Sequence, residues 1–248
     1  MTTTTPTAPL HPFLSAGGSL LIIGDIGSYK TAVLSSMSRA IASGRPWGSL
    51  ATGKMTVRID TWSSLERLDD AAFALTGEAS EMEELRDTFA STPCDYGDSF
   101  PNKPNFEELR IVARQNNEGG PVVIAIDDFD RVAPIGYEAN DRILAQAMSH
   151  VVCNLRDDNS IVATMTASAE TFMTHFRSLA KQFDCIAHVE RLGDWWTLTL
   201  IKSTNGPEAF QVEGEVFFPV VSEDALGNET RVAVAKPILQ LPHNRRTF

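Results

Sequence analysis

Leu20-Leu-Ile-Ile runs without a polar residue into Gly-Asp-Ile-Gly-Ser-Tyr-Lys-Thr, which ends at Thr31. An apolar strand that enters a glycine-containing turn closed by Lys-Thr is suited to holding phosphate. Backbone N–H groups turn inward on the oxygens, the lysine adds a point charge, and the threonine hydroxyl can meet Mg²⁺. The spacing follows G-x-x-x-x-G-K-[ST] with Gly24 first and Lys30 and Thr31 last, but Tyr29 stands where the second glycine is expected. The expected cradle is Gly24, Asp25, Ile26, Gly27, Ser28, Tyr29, Lys30 and Thr31. From Thr31 to Ala42, the residues Val33, Met37, Ala40 and Ile41 recur at helical spacing, so the turn should open a helix with its positive end toward the anion. A strand–turn–helix corner of another α/β protein could bring the same residues together, so the turn needs a second half.

Asp127 and Asp128 supply one. Pro121-Val-Val-Ile-Ala-Ile126 is a continuous apolar run, as in a strand covered on both faces, and it ends in those two acids. A phosphate cradle needs a carboxylate for Mg²⁺, carried at the C-terminal end of a strand beside the first. Thr31, Asp127 and Asp128 are therefore the expected metal-side residues, and Asp127 also has a catalytic part. Hydrolysis asks further for a group that orients water. Glu66, in Ser63-Ser-Leu-Glu66, is the candidate and Asp60 its substitute, while a solvated acid beside Arg67 is an equal reading of Glu66.

Between and beyond these segments the chain alternates. A loop over Ser43–Gly48 leads to a strand over Met55–Asp60, then helices over 61–77 and 80–90, a Pro- and Asp-containing loop over 91–104, and a helix over 105–116. After the acidic pair follow a helix over 137–156, a strand over 160–166, a helix over 169–183 and a strand over 185–190. Alternating strands and helices predict a mostly parallel sheet flanked by helices. Trp195–Lys202 and Ala209–Pro219 around an Asn205-Gly206-Pro207 turn predict an antiparallel edge hairpin. The expected division is a flexible lead-in over 1–12, a nucleotide-binding domain over 13–221, and an extension over 222–248 that holds one short strand, Arg231–Ala235, and no assigned function.

Lys and Arg number 21 against 32 Asp and Glu, so no global positive field draws in nucleic acid, and any such contact must be local. Cys94, Cys153 and Cys185 are widely spaced and odd in number, which suits reduced structural thiols better than a disulfide framework. The Thr- and Pro-rich start has no basic n-region, and nowhere do 18 uncharged apolar residues follow one another. The expectation is a soluble, cytoplasmic protein with no membrane partner.

Gly24…Lys30-Thr31, Arg45-Pro46-Trp47, Thr56–Asp60, Val122–Asp128 and Ile201-Lys-Ser-Thr-Asn-Gly206 together resemble the RecA-like P-loop ATPase core. The branch they look most like is that of hexameric plasmid replication helicases of the RepA type, with RadA and KaiC as relatives. The likeness runs over about residues 18–220. It implies ATP and Mg²⁺ as cofactors, with Lys30 and Thr31 on phosphate and metal and Asp127 and Asp128 at the acidic strand end. The family's catalytic glutamate falls at Trp62 in a tight alignment and at Glu66 in a looser one. Its sensor position falls on Thr164, Met165 and Thr166, with no histidine. Its Lys-x-Arg finger into the neighbouring subunit becomes Lys202-Ser203-Thr204, which keeps the lysine and loses the arginine.

Departures at Tyr29, at the glutamate and at the arginine touch turnover and leave the cradle. The resemblance therefore implies a slow or partner-activated oligomeric ATPase, a ring of up to six copies acting on single-stranded DNA in replication or recombination of a mobile element. The other reading is a catalytically inactive nucleotide-binding scaffold that assembles with a protein partner. His175, Arg177 and Lys181 are the best local basic set for a central channel, and a solvated helix face is the alternative. Tyr29 could stack on adenine or fill a gap beside the loop.

Overall fold

The strand that delivers the Gly24–Thr31 loop, β1 (Ser19–Gly24), is buried along its whole length. In the computed structural model, which describes residues 8–61, 89–93, 121–132, 139–155, 159–204 and 210–238, it lies in the middle of a nine-stranded sheet. β1 pairs in parallel with β5 (Ser160–Thr166) on one side and β6 (Cys185–Leu192) on the other. Beyond β5 follow β4 (Val122–Ile126), β2 (Thr56–Thr61) and β3 (Phe89–Pro93), all parallel. Beyond β6 follow β7 (Trp195–Ser203), β8 (Gln211–Phe217) and β11 (Val234–Pro237), all antiparallel. A short ribbon of β9 (Val220–Glu223) and β10 (Glu229–Arg231) separates β8 from β11 along the chain. The mixed α/β class with an antiparallel edge is thus the architecture seen.

Side chains alternate across a strand, so an unbroken apolar run feeds two cores at once. Leu20 and Ile22 pack with Val33, Met37 and Ile41 of α1 (Lys30–Ser43). Leu21 and Ile23 join the opposite core, with Leu144, Met148 and Val151 of α2 (Asp141–Leu155) and Phe172 of α3 (Ala169–His175). Helix α1 ends at Gly44 with φ 68°, and the Gly44 and Arg45 amides donate to the Ile41 and Ala40 carbonyls, closing the last turn.

Five sequence expectations change. The expected helix over 80–90 and loop over 91–104 contain β3, whose Phe-Ala-Ser-Thr-Pro sequence lacks alternation and carries a proline tolerated only because the strand is at the sheet edge. The single helix expected over 169–183 is two, α3 and α4 (Arg177–Ala180), interrupted at Phe176. The Asp141 carboxylate takes the Ser178 and Leu179 amides at 3.0 and 2.8 Å and so starts α4 afresh. The lead-in does not last to residue 12. Leu10 is buried against Phe13 and Trp47, and the Gly53 amide donates to the Pro9 carbonyl at 3.1 Å. At the other end, β11 falls within the expected extension and belongs to the main sheet. Thr61, expected to open a helix, closes β2 instead; the rest of that helix over 62–77, the helix expected over 105–116 and Glu66 lie outside the described residues.

The Arg45-Pro46-Trp47 segment has a structural part. Trp47 is buried, stacks on Trp196 with centroids 5.7 Å apart, and donates its indole N–H to Ser36 Oγ at 3.0 Å. That contact ties the loop after α1 to the helix and to β7.

Candidate phosphate-binding site

In parallel sheets the usable crevice opens at the carboxyl ends of the strands, where loops are free to converge. Here β1, β4 and β5 end together. Gly24 has no room for a side chain, because a Cβ there would run into Ser28 Oγ and stand 2.7 Å from the Val189 carbonyl. Its carbonyl accepts from the Ala167 amide at 3.1 Å, which fixes the loop's root to the end of β5. Gly27 then turns the chain at φ 76°, and Ser28 N–H closes onto the Asp25 carbonyl at 3.1 Å.

Tyr29, the residue that departs from the consensus, holds φ 70° and ψ 21°. That is the left-handed conformation for which a glycine is ordinarily used, and it costs a non-glycine residue about 1–2 kcal/mol. The side chain is secured by its surroundings. Its ring lies under the Arg191 guanidinium at 4.6 Å, packs edge-on to Phe218 at 6.1 Å, and its hydroxyl reaches the Gly193 carbonyl at 3.5 Å. Tyr29 is the N-cap of α1 and makes no side-chain cap bond, and no acid occupies the first turn. The amides at the start of α1 are thus open to an anion, and the helix dipole favours one.

Lys30 is 7% exposed, and its Nζ donates to the Gly24 and Asp25 carbonyls at 3.0 Å each. Burial lowers its pKa, against the opposing pull of Asp128, Asp130, Asp127 and Asp25. Thr31 Oγ1 donates to Asp127, at 2.9 Å to Oδ2 and 3.2 Å to Oδ1. Asp127 is fully buried and also accepts from Thr164 Oγ1 at 2.7 Å. The same Thr164 oxygen accepts the Asp128 amide at 2.7 Å, and Asp128 sits at φ 56°. The acidic strand therefore does not lie beside β1 as expected. It is next but one, with β5 between, and Thr164 of that intervening strand links the two halves.

One cavity of about 550 Å³ collects these parts, lined by residues 26–32 of the loop and helix start, by Asp128, Asp130 and Thr166, and by Ala233 from the segment before β11. That is a size in which small ligands are held. Asp130 had no place in the sequence reading. It follows β4 in a 3₁₀ turn, Phe129–Val132, and its Oδ1 is buried without a hydrogen-bond partner. Burial first, and Asp128 second, push its carboxyl above the ordinary value. The clue available in the sequence was the third acid of Asp127-Asp-Phe-Asp130. Ser28 Oγ is likewise buried and unpartnered at the loop.

The remaining candidates fall elsewhere. Asp25 and Ile26 are exposed at the loop tip, Ile26 at 91%. Asp60 pairs in register with Ile126, one residue before Asp127, so it ends at the same sheet edge. Lys202 pairs in register with Ile186, whose β1 partner is Leu21, well before the loop. Its Nζ donates to the Ala180 and Phe183 carbonyls at 2.6 Å each, and burial lowers its pKa. It is engaged within its own chain. His175, Arg177 and Lys181 are all exposed on the α3–α4 segment.

The donors fit the groups the resemblance implies. Thr31, Asp127 and Asp128 offer only oxygens, as a hard divalent cation requires, and the loop amides with Lys30 offer what a polyphosphate requires. Among the described residues no cluster of three or more His, Cys, Asp or Glu forms a separate metal site. No helix described is long and apolar enough to cross a membrane.

No protein-family model matches the chain, and no curated protein matches it in sequence. Among solved structures it is similar to a RadB recombinase, with a TM-score of 0.54 at 15% identity over 82% of this chain and 88% of that one. The likeness is one of fold, and it places the chain's architecture with the RecA-like core.

Proposed function

We propose that the chain binds ATP with Mg²⁺ at the Gly24–Thr31 loop and acts as a slow or partner-activated oligomeric ATPase on DNA, in replication or recombination of a mobile element. The observation that carries the nucleotide part is the meeting of Lys30, Thr31 and Asp128 around one cavity at the sheet's carboxyl edge, with Asp127 buried behind Thr31 and bonded to it. The amides of the loop and of the α1 start take the phosphates. Lys30 exchanges a carbonyl partner for a phosphate oxygen. Thr31 and Asp127, already in contact, hold the cation with Asp128 beside them. Bound Mg²⁺ would supply charge neutralisation at the phosphates. The DNA part draws on the similarity to a protein named as a recombinase and on the motif resemblance. The RepA-type branch and a ring of six rest on that resemblance alone.

A second reading, a nucleotide-binding scaffold without turnover, is favoured by one specific observation. Lys202, where the related ATPases send a finger into the next subunit, is bound to carbonyls of its own chain.

The experiment is calorimetric titration of ATP with Mg²⁺, followed by turnover with and without single-stranded DNA and by light scattering for mass. Binding, DNA-stimulated turnover and a nucleotide-dependent mass increase are expected. Binding without turnover selects the scaffold. Lys30→Ala is expected to lose ATP binding, and unchanged affinity in that variant overturns the site.

A further inference from the structure

Arg191, near the C-terminal end of β6, is exposed but not loose. Its Nε donates to the Gly193 carbonyl at 3.0 Å, and its Cζ lies 4.6 Å from the Tyr29 ring centroid. Its Nη1 stands 3.9 Å from where a Cβ on Gly27 would be. No carboxylate pairs with it among the described residues. β6 flanks β1 on the side away from β5 and β4, so the guanidinium faces the loop from the flank opposite Asp128 and Asp130. Gly27 and Tyr29, the residues it touches or approaches, both line the cavity that Lys30 lines.

A planar guanidinium laid on a ring and tethered at Nε keeps its two terminal nitrogens for a ligand, and that fork matches two oxygens of one phosphate. The amides at the start of α1 take the inner phosphates, and Arg191 approaches the loop at Gly27, two residues before the helix cap, from the flank opposite the acids. We propose that Arg191 is a phosphate clamp supplied in cis, taking the terminal phosphate of a nucleoside triphosphate held in this loop, with Tyr29 as the platform that parks it. The inference rests on the loop being a nucleotide site. It gives Tyr29 a reason to occupy a backbone conformation better suited to glycine, because glycine has no ring on which to hold the arginine. It also places a cation near the terminal phosphate, where Lys202-Ser203-Thr204 has no arginine to send across.

The test is calorimetric affinity of the full chain for ATP and for ADP, each with Mg²⁺, in wild type, Arg191→Gln and Arg191→Lys. Arg191→Gln should weaken ATP by about tenfold or more while ADP changes by less than about threefold. Arg191→Lys, with the charge but not the fork, should fall between wild type and Arg191→Gln for ATP. Arg191 is exposed, so the melting temperature of each variant serves as the folding control. Unchanged ATP affinity in Arg191→Gln, or an equal loss for ATP and ADP, overturns the clamp and leaves the nucleotide site standing. Wild type that binds neither nucleotide overturns the site itself, and the clamp with it.

Discussion

Thr31 and Asp127, 96 positions apart in the chain, share a hydrogen bond of 2.9 Å that joins the Gly24–Thr31 loop to the acidic strand end. The contact is direct although β5 separates β1 from β4, and Thr164 of β5 donates to the same carboxylate at 2.7 Å. The two groups proposed to hold a divalent cation are thus positioned by the fold.

That arrangement predicts a separation of metal dependence from folding. Thr31→Val keeps the shape and removes the hydroxyl, while Asp127 retains Thr164. Stability should drop by about 1.5–3 kcal/mol, the worth of a hydrogen bond to a charged group. The gain in ATP affinity on adding Mg²⁺ should disappear. Titrations with and without Mg²⁺ decide it, and a variant that keeps the full metal effect removes Thr31 from the cation's ligands.

Tyr29 offers a test of backbone strain. Tyrosine at φ 70° is tolerated here because Arg191 and Phe218 hold the ring. Valine brings a β-branched side chain to the same backbone and none of those contacts, whereas glycine loses the contacts and gains the conformation. Tyr29→Val should therefore be less stable than Tyr29→Gly by about 1–2 kcal/mol in urea unfolding. Equal midpoints would mean the loop relaxes out of the left-handed region once the ring is gone.

Asp130 gives a pH signature with a definite sign. Burial and Asp128 raise its pKa above 3.8, and the weaker attraction of Lys30 does not cancel them. The folded state therefore binds this proton more tightly than the unfolded state, so the ionised carboxylate costs stability at neutral pH. The cost is relieved as pH falls through the raised folded value toward 3.8, and none remains below 3.8. Asp130→Asn should melt higher than wild type at pH 7, with the advantage gone by about pH 3.5. A variant that melts no higher at neutral pH refutes the sign.

What the sequence disclosed and what it hid follow from the range of the forces involved. β1 and β4 were legible because strands covered on both faces must be apolar throughout, and the loop was legible because the phosphate chemistry proposed for it imposes a spacing. β3 was not, since an edge strand need not alternate and Phe89-Ala-Ser-Thr-Pro93 resembles a loop. The break at Phe176 depends on Asp141, whose amide contacts are 37 and 38 positions away. Tyr29 was visible as a mismatch, but its supports, Arg191 and Phe218, come from the end of β6 and the segment after β8, which only the assembled sheet brings to it. Asp130 had no role in the sequence reading until the cavity placed it beside Lys30.

Lys202 separates a structural part from a part in turnover. Its ammonium satisfies the Ala180 carbonyl at the end of α4 and the Phe183 carbonyl just beyond, both at 2.6 Å, and helix-end carbonyls otherwise lack partners. Lys202→Met keeps most of the stem and removes both bonds. For a partly buried cation the loss should be about 1–3 kcal/mol, read as a lower urea midpoint. ATP affinity of the isolated chain should stay within about twofold, because β7 carries Lys202 away from the loop. If instead the midpoint is unchanged and DNA-stimulated turnover falls, the ammonium leaves its own carbonyls to serve a neighbouring subunit, and the scaffold reading loses the observation that favours it.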